Sequence, residues 1–178
     1  MPFPELVTTA RLRLHRWDAA IHTPGLAAVN AQSPAVTYLN GGVPYTYEES
    51  ARQSARFATH WSEHAFGLWA LELRATGEII GFTGVAHPLW FPAYAHEVEA
   101  GWRLHPSHWR HGYATEAARA AVDAAFTQLP LERLISLIDP ENTPSIAVAT
   151  RLGMTLATTV DHPQHPGKLH IFELPRPT

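Results

Sequence analysis

Between residues 98 and 129 the hydrophobic period of this chain changes once, across a single short loop, and few arrangements accommodate that change. Val98, Ala100, Trp102 and Leu104 alternate with Glu99, Gly101 and Arg103, the period of a strand with two different faces. Beyond the loop Ala114, Ala117, Ala118, Ala121, Val122, Ala125 and Phe126 recur at helical spacing, and Pro130 follows the end of a helix expected over 115–129. Side chains this small let a helix lie close against a sheet. The loop between reads Trp109-Arg110-His111-Gly112-Tyr113-Ala114-Thr115-Glu116-Ala117. The first N–H groups of a helix have no partner inside it, and the helix dipole adds partial positive charge there. Gly112 permits close backbone approach and Arg110 supplies a cation. The loop suits an anion, a phosphate in particular, although a plain strand-to-helix turn shares so short a pattern.

Composition narrows the class. With 178 residues, 46% hydrophobic and 16% charged, the chain has material for one domain, 1–178, with a substantial core. A formal net charge of −3 gives no reason to expect nucleic-acid binding. The absence of cysteine excludes a catalytic cysteine, a disulfide framework and thiolate metal sites. No apolar run approaches a membrane span and residues 1–5 carry no leader pattern, so a cytoplasmic protein without membrane contact is the expectation. Two pairs among the histidines, His60/His64 and His162/His165, have spacings that a metal uses. Neither has a third ligand near it in sequence, so solvated surface histidines and no metal are expected.

The remaining elements follow from local signals. Leu12 and Leu14 alternate with Arg11, Arg13 and His15, which predicts a half-buried strand over 6–17. Residues 18–32 are helical but interrupted at Pro24-Gly25. Thr46 and Glu49 form a capping box that opens a helix reaching about His64. Tyr38, Tyr45 and Trp61 either pack or touch a substrate. Strands over 67–73 and 78–85 meet at the hairpin turn 74–77, and the aromatic, proline-rich loop 87–95 either shapes a pocket or covers the core. The strand 96–104 places Glu97 and Glu99 on one face. Residues 134–138 read as a buried strand. Thr143 is a natural N-cap and Pro144 a natural first residue for a helix ending at Gly153. Two further strands fall over 154–160 and 169–174.

The loop Trp109–x–x–Gly112–x–Ala114 resembles the acyl-CoA pyrophosphate loop of the GNAT superfamily of N-acetyltransferases, Q/R-x-x-G-x-G/A, with tryptophan departing from the pattern in the first slot. The extended run through Ala117, with Thr8-Thr9-Ala10-Arg11-Leu12-Arg13-Leu14, is similar to the RimJ/RimL-type branch, the ribosomal-protein N-acetyltransferases. Asn142, Ser145, Val148, Leu152, Gly153 and Met154 resemble a second signature of the superfamily. Two signatures in the right order are far more specific than either alone.

The resemblance implies an α+β fold with a mixed, mostly antiparallel sheet of about seven strands flanked by helices. It implies transfer of an acetyl group from acetyl-CoA to a primary amine by direct attack, with no metal and no covalent enzyme intermediate. The acceptor class stays open between a protein N-terminus and a small molecule. On this reading the backbone edge of Trp102, Arg103 and Leu104 holds the pantetheine arm, and Asn142 touches it. Trp109, Arg110, His111, Gly112, Tyr113, Ala114 and Thr115 hold the pyrophosphate. Glu99 is the general base, with Glu97 as runner-up and His96 and His105 still open, and Ser145 is the general acid. Relatives of that branch are often homodimers. A non-catalytic acyl-CoA sensor on the same fold is the alternative.

Overall fold

The strands lie in the sheet nearly in the order in which they occur in the chain. The computed structural model describes residues 2–177 (for Asn40, the backbone only). Among them are β1 Leu6–Thr8, β2 Leu12–Arg16, β3 Leu68–Leu73, β4 Ile79–Ala86, β5 Glu99–Leu104, β6 Arg133–Ile138, β7 Thr155–Asp161 and β8 Lys168–Pro175. Their spatial order is β1-β2-β3-β4-β5-β6-β8-β7, antiparallel throughout except for β5 and β6. The helices are α1 Ala19–Asn30, α2 Ser33–Val36, α3 Tyr47–His64, α4 Tyr113–Gln128 and α5 Thr143–Leu152. No helix among the described residues is long and apolar enough to cross a membrane.

Helices α1 and α3 pack on each other through a buried Thr23–Ser54 hydrogen bond of 2.7 Å and, with Trp17, Phe57 and Phe82, cover one face of the sheet. Helix α4 covers the other, burying Ala117, Ala118, Ala121, Val122, Ala125 and Phe126 in the same core as Val98, Ala100 and Leu104. Alternation along β5 therefore turns Glu99, Gly101 and Arg103 toward α1 and α3.

Several expectations are corrected. The strand expected over 6–17 is a hairpin, β1 and β2, which raises the strand number to eight. Its turn carries no glycine or proline; the Leu12 N–H donates to Thr9 Oγ1, and Arg74 clamps the Thr9 and Ala10 carbonyls from another strand pair. Helix α1 runs unbroken through Pro24. Thr23 Oγ1 bonds the Ala19 carbonyl beside the proline, and Gly25 lies so close to Ile79 that no side chain would fit. Tertiary packing outweighs the local penalty. Strand β5 begins at Glu99, not at 96, because residues 92–97 turn. The capping box at Thr46 and Glu49 is present as expected, and α3 ends at His64.

Candidate active site

Gly112 is the N-cap of α4, which therefore starts at Tyr113, two residues earlier than its apolar pattern suggests. Its φ of +79° is left-handed backbone, which any other residue enters at a cost of about 1–2 kcal/mol. Arg110 is also left-handed, at +64°. A glycine cap has no side chain to offer, so the N–H groups of Tyr113, Ala114 and Thr115, in the first turn, make no hydrogen bond to protein. Arg110 has no charge partner among the described residues, and with Thr115, Arg119 and Arg151 it lines a shallow cavity of about 420 Å³ over this helix end. The sequence reading missed Arg119 and Arg151. Only the packing of α5 beside α4 brings Arg151 here, with its carbonyl accepting from Arg119.

The loop is braced from below. Arg11 donates from Nη1 to the His111 carbonyl at 2.8 Å and from Nε to Glu116 at 2.7 Å, and its guanidinium lies over the Tyr113 ring. Thr9 Oγ1 donates to the same Glu116 carboxylate at 2.6 Å. The opening phrase and the loop phrase, separate in sequence, are thus one hydrogen-bonded unit. Trp109 anchors the other end: its indole N–H donates to the Leu104 carbonyl at 2.9 Å. His111 stacks on Tyr113 and is otherwise exposed.

Strands β5 and β6 form a fork. They register at one position, Glu99 opposite Ile135, where Ile135 N–H donates to the Val98 carbonyl. One step further the buried Ser136 hydroxyl takes the Ala100 carbonyl, where a continuing ladder would have placed a backbone donor. Val98 and Ala100 point their carbonyls toward β6, so by alternation Trp102 and Leu104 also turn their backbone groups that way, into the opening. Arg103 does not. His105 N–H donates to the Ile80 carbonyl, which makes Arg103 opposite Phe82 a bonded pair committed to β4. The expected edge of three residues therefore narrows to Trp102 and Leu104, with the Leu104 carbonyl already held by Trp109.

The fork opens into a cleft of about 1790 Å³ lined by Glu99, Gly101, Arg103, Ser136, Leu137, Asn142 and Ser145, among others. Protein surrounds Glu99 apart from this opening. Desolvation pushes its carboxyl up to about 7, against a weaker opposing pull from backbone hydrogen bonding by Leu137. Glu97 is in the opposite situation. It is ion-paired to Arg133, with His96 at 3.4 Å, and the Arg133 bond holds its carboxyl below the usual range. His96 is highly exposed, and His105 Nδ1 is hydrogen-bonded to Ser107 at 2.7 Å.

At α5 the expected cap shifts by one residue. Asn142, not Thr143, is the N-cap: its Oδ1 accepts from Ser145 N–H at 3.2 Å, and Pro144 is the second helical residue. Thr143 N–H donates to the Glu141 carbonyl, Pro144 has no donor and Ser145 N–H is held by Asn142, so this helix end, unlike that of α4, presents no free backbone donor. The Ser145 hydroxyl itself makes no hydrogen bond to protein, and faces the cleft.

On the α3 side Tyr38, Tyr45, Phe57 and His60 line the cleft, as do His87 to Trp90 of the aromatic loop. Trp61 is core, donating to the Leu68 carbonyl. His60 is not the solvated residue expected. Its Nδ1 faces the Phe66 carbonyl at 2.9 Å and its Nε2 accepts from His87 N–H at 3.0 Å, which leaves no lone pair for a metal; burial pushes its pKa down to about 4. His162 and His165 stack on each other at the far rim. No group of three metal-ligating side chains occurs among the described residues.

The family model described as an acetyltransferase (GNAT) domain matches residues 11–155. The chain is similar to an uncharacterized protein, YkkB, of Bacillus subtilis (strain 168), with 32% identity over 61% of this chain and 65% of that protein. It is similar to an uncharacterized N-acetyltransferase, p20, of Bacillus licheniformis, with 29% identity over 83% of this chain and 81% of that one. Among solved structures, an acetyltransferase from Agrobacterium tumefaciens str. C58 superimposes with a TM-score of 0.79, 32% identity and coverage of 98% of this chain and 95% of that one. RimL, a ribosomal L7/L12 α-N-protein acetyltransferase in complex with coenzyme A, shares the fold at a TM-score of 0.76 and 15% identity over 98% of each chain. A glycine-capped helix end fed by a forked strand pair, a family model spanning most of the sequence and relatives of matching architecture converge on one assignment: the chain is an acetyltransferase of the GNAT family.

Proposed function

We propose that this acetyltransferase moves the acetyl group of acetyl-CoA directly to a primary amine. One observation carries the reading. A carboxyl poised near neutrality, Glu99, and an uncommitted hydroxyl, Ser145, line the same cleft, and that cleft leads to the unpaired donors of α4. The N–H groups of Tyr113, Ala114 and Thr115, with Arg110, suit the pyrophosphate, and Gly112 keeps the approach clear. Trp102 and the Leu104 N–H offer the pantetheine amides a strand edge, and the side-chain NH₂ of Asn142 remains available beside it. Glu99 takes the proton from the acceptor ammonium, and the freed nitrogen bonds to the thioester carbonyl carbon as the C–S bond breaks. Ser145 donates a hydrogen bond to the sulfur as negative charge collects there, and the proton the nitrogen sheds on becoming an amide ends on that sulfur, so that the products are the amide and free CoA thiol.

Because Asn142 caps α5, the Ser145 hydroxyl has no cap role to lose. Ser145→Ala is expected to leave the melting temperature within about a degree and to lower turnover by roughly tenfold to a hundredfold. The loss should shrink with an acyl donor whose thiol is more acidic, and equal losses with both donors would remove Ser145 from the leaving-group role. The whole reading is tested by mixing the purified protein with acetyl-CoA and a panel of primary amines, including short peptides. Release of free CoA with acetylated amine is expected. Tight CoA binding without release for any acceptor identifies a sensor instead.

A further inference from the structure

Among the described residues on the acceptor side of the cleft, Arg56 lies exposed on α3, whereas the guanidinium of Arg103 is set into the floor with neutral groups around it. Nη1 donates to Asn30 Oδ1 at 2.6 Å and to Gln53 Oε1 at 3.4 Å, and the rings of Phe82 and Tyr45 lie 5.2 and 5.9 Å from its central carbon. Asn30 and Gln53 are themselves buried, and Asn30 is tied to Gln53 at 2.9 Å and to Ser50 at 3.1 Å, so the pair cannot swing away. No carboxylate among the described residues pairs with Arg103. A half-buried cation whose protein partners are all neutral amides is ready to take an anion. No buried side-chain nitrogen or oxygen among the described residues lacks a partner. The Nε and Nη2 edge, which bonds nothing in the protein, therefore stays open to the cleft that Arg103 lines. That edge is the planar fork a carboxylate fits with two parallel bonds.

The fork lies at a defined distance from the base. Glu99 and Arg103 are on the same face of β5 four residues apart, about 13 Å along a strand. The neighbouring helix gives a second measure. Arg103 is held at Gln53, and His60, which bonds the chain just after the strand position paired with Glu99, lies seven residues further along α3, about 10 Å. Between the two groups Gly101 leaves the floor bare, with nothing within 4 Å of the position a side chain would take.

We propose that Arg103 anchors a carboxylate of the acceptor, so that the acceptor is a primary amine carrying its carboxylate several bonds away. This rests on the acetyl-transfer reading above. An α-amine and its own carboxylate share one carbon and are too close together to reach both groups. The side-chain amine of a basic amino acid spans the gap, as does the N-terminus of a short peptide with an acid at its second residue or its C-terminus.

The test uses matched acceptors, each acid beside its carboxamide: lysine and lysinamide, 6-aminohexanoate and its amide, and dipeptides with free and amidated C-termini. In the unaltered protein the acids are expected to exceed the amides at least tenfold in kcat/KM. In Arg103→Met that ratio falls to near one, and Arg103→Lys restores part of it. Equilibrium binding of 6-aminohexanoate and its amide in the presence of CoA gives the same comparison without turnover. The dipeptide and free amino acid arms tell the two sources of carboxylate apart. Equal handling of acids and amides by the unaltered protein overturns the proposal, as does a panel silent in both turnover and binding. An Arg103→Met loss equal for every acceptor, with a lowered melting temperature, reduces Arg103 to a structural tie, and a raised KM for acetyl-CoA alone assigns it to the cofactor. Acetylation without a carboxylate preference leaves the transfer reading standing, whereas CoA binding with no release for any amine removes that reading itself.

Discussion

Glu99→Gln is expected to lower turnover about a hundredfold or more at pH 8 and, at that same pH, to make the protein more stable. Both effects have one cause. Burial holds the Glu99 carboxyl near 7, against an ordinary value of 4.5. As a base it works only when ionised, so turnover of the unaltered protein should rise between pH 6 and 8 with a midpoint near 7, and the glutamine variant should lose that limb. The stability effect runs the other way. Below 4.5 the group is protonated in both the folded and unfolded chain and burial adds no penalty. Between 4.5 and 7 the folded state keeps a proton that the unfolded state has released, so stability falls as pH rises, and above 7 the penalty is complete. At 1.36 kcal/mol per pH unit this amounts to about 3 kcal/mol at most, and the opening to the cleft brings it to roughly 2. Glutamine carries no charge to desolvate. Thermal melts at pH 4 and pH 8, with pH–rate profiles, check both halves. A midpoint near 7 that persists in the variant rules Glu99 out as the group titrating. Loss of activity in Glu97→Gln but not in Glu99→Gln would move the base to a residue now paired with Arg133.

Gly101→Val should separate folding from catalysis even more sharply. Gly101 is not in the left-handed region, and a Cβ there meets nothing within 4 Å, so the free protein has room for the new side chain. Replacing glycine in a strand also restricts the unfolded chain, which stabilises by up to about 1 kcal/mol. The isopropyl group, however, would stand on the cleft floor between Glu99 and Arg103, where the acceptor is proposed to lie. We expect an unchanged or higher melting temperature, CoA affinity within about threefold by calorimetry, and a fall in kcat/KM for the amine of a hundredfold or more, the scale of loss that follows from displacing a reactant by about an ångström. Normal turnover in a folded Gly101→Val protein would move the acceptor path off this face of β5.

Much of this site is legible in the amino-acid sequence alone. The change of period around Gly112, the alanine face of α4, the capping box at Thr46 and the stop at Gly153 depend on residues a few positions apart, because helix hydrogen bonds and strand alternation are themselves short-range. The two signatures, matched in order, were enough to name the family that the comparison with known proteins assigns. The second signature also nominates Ser145, and the resemblance, not either signature, nominates Glu99 on its strand with Glu97 as runner-up.

What lay beyond the sequence depends on which distant element arrives where. Glu97 and Glu99 are equivalent by alternation; they differ because Arg133, 36 residues on, reaches one and leaves the other in a desolvated opening. Nothing near β5 announces that β6 will pair with it at a single position, or that a serine hydroxyl from β6 will take the next carbonyl, that of Ala100. The role of Arg11 requires Glu116 and the His111 carbonyl, about a hundred residues away, and the isolation of Arg103 among amides requires α1 and α3 to meet over β5. Periodicity and capping are local properties of a chain, whereas the state of a charge is set by every group that folding brings near it. The sequence by itself therefore determined the framework and the chemical candidates, and the tertiary structure decided which carboxylate is ion-paired and which is desolvated, which backbone edge is unpaired, and which guanidinium has amides rather than carboxylates beside it.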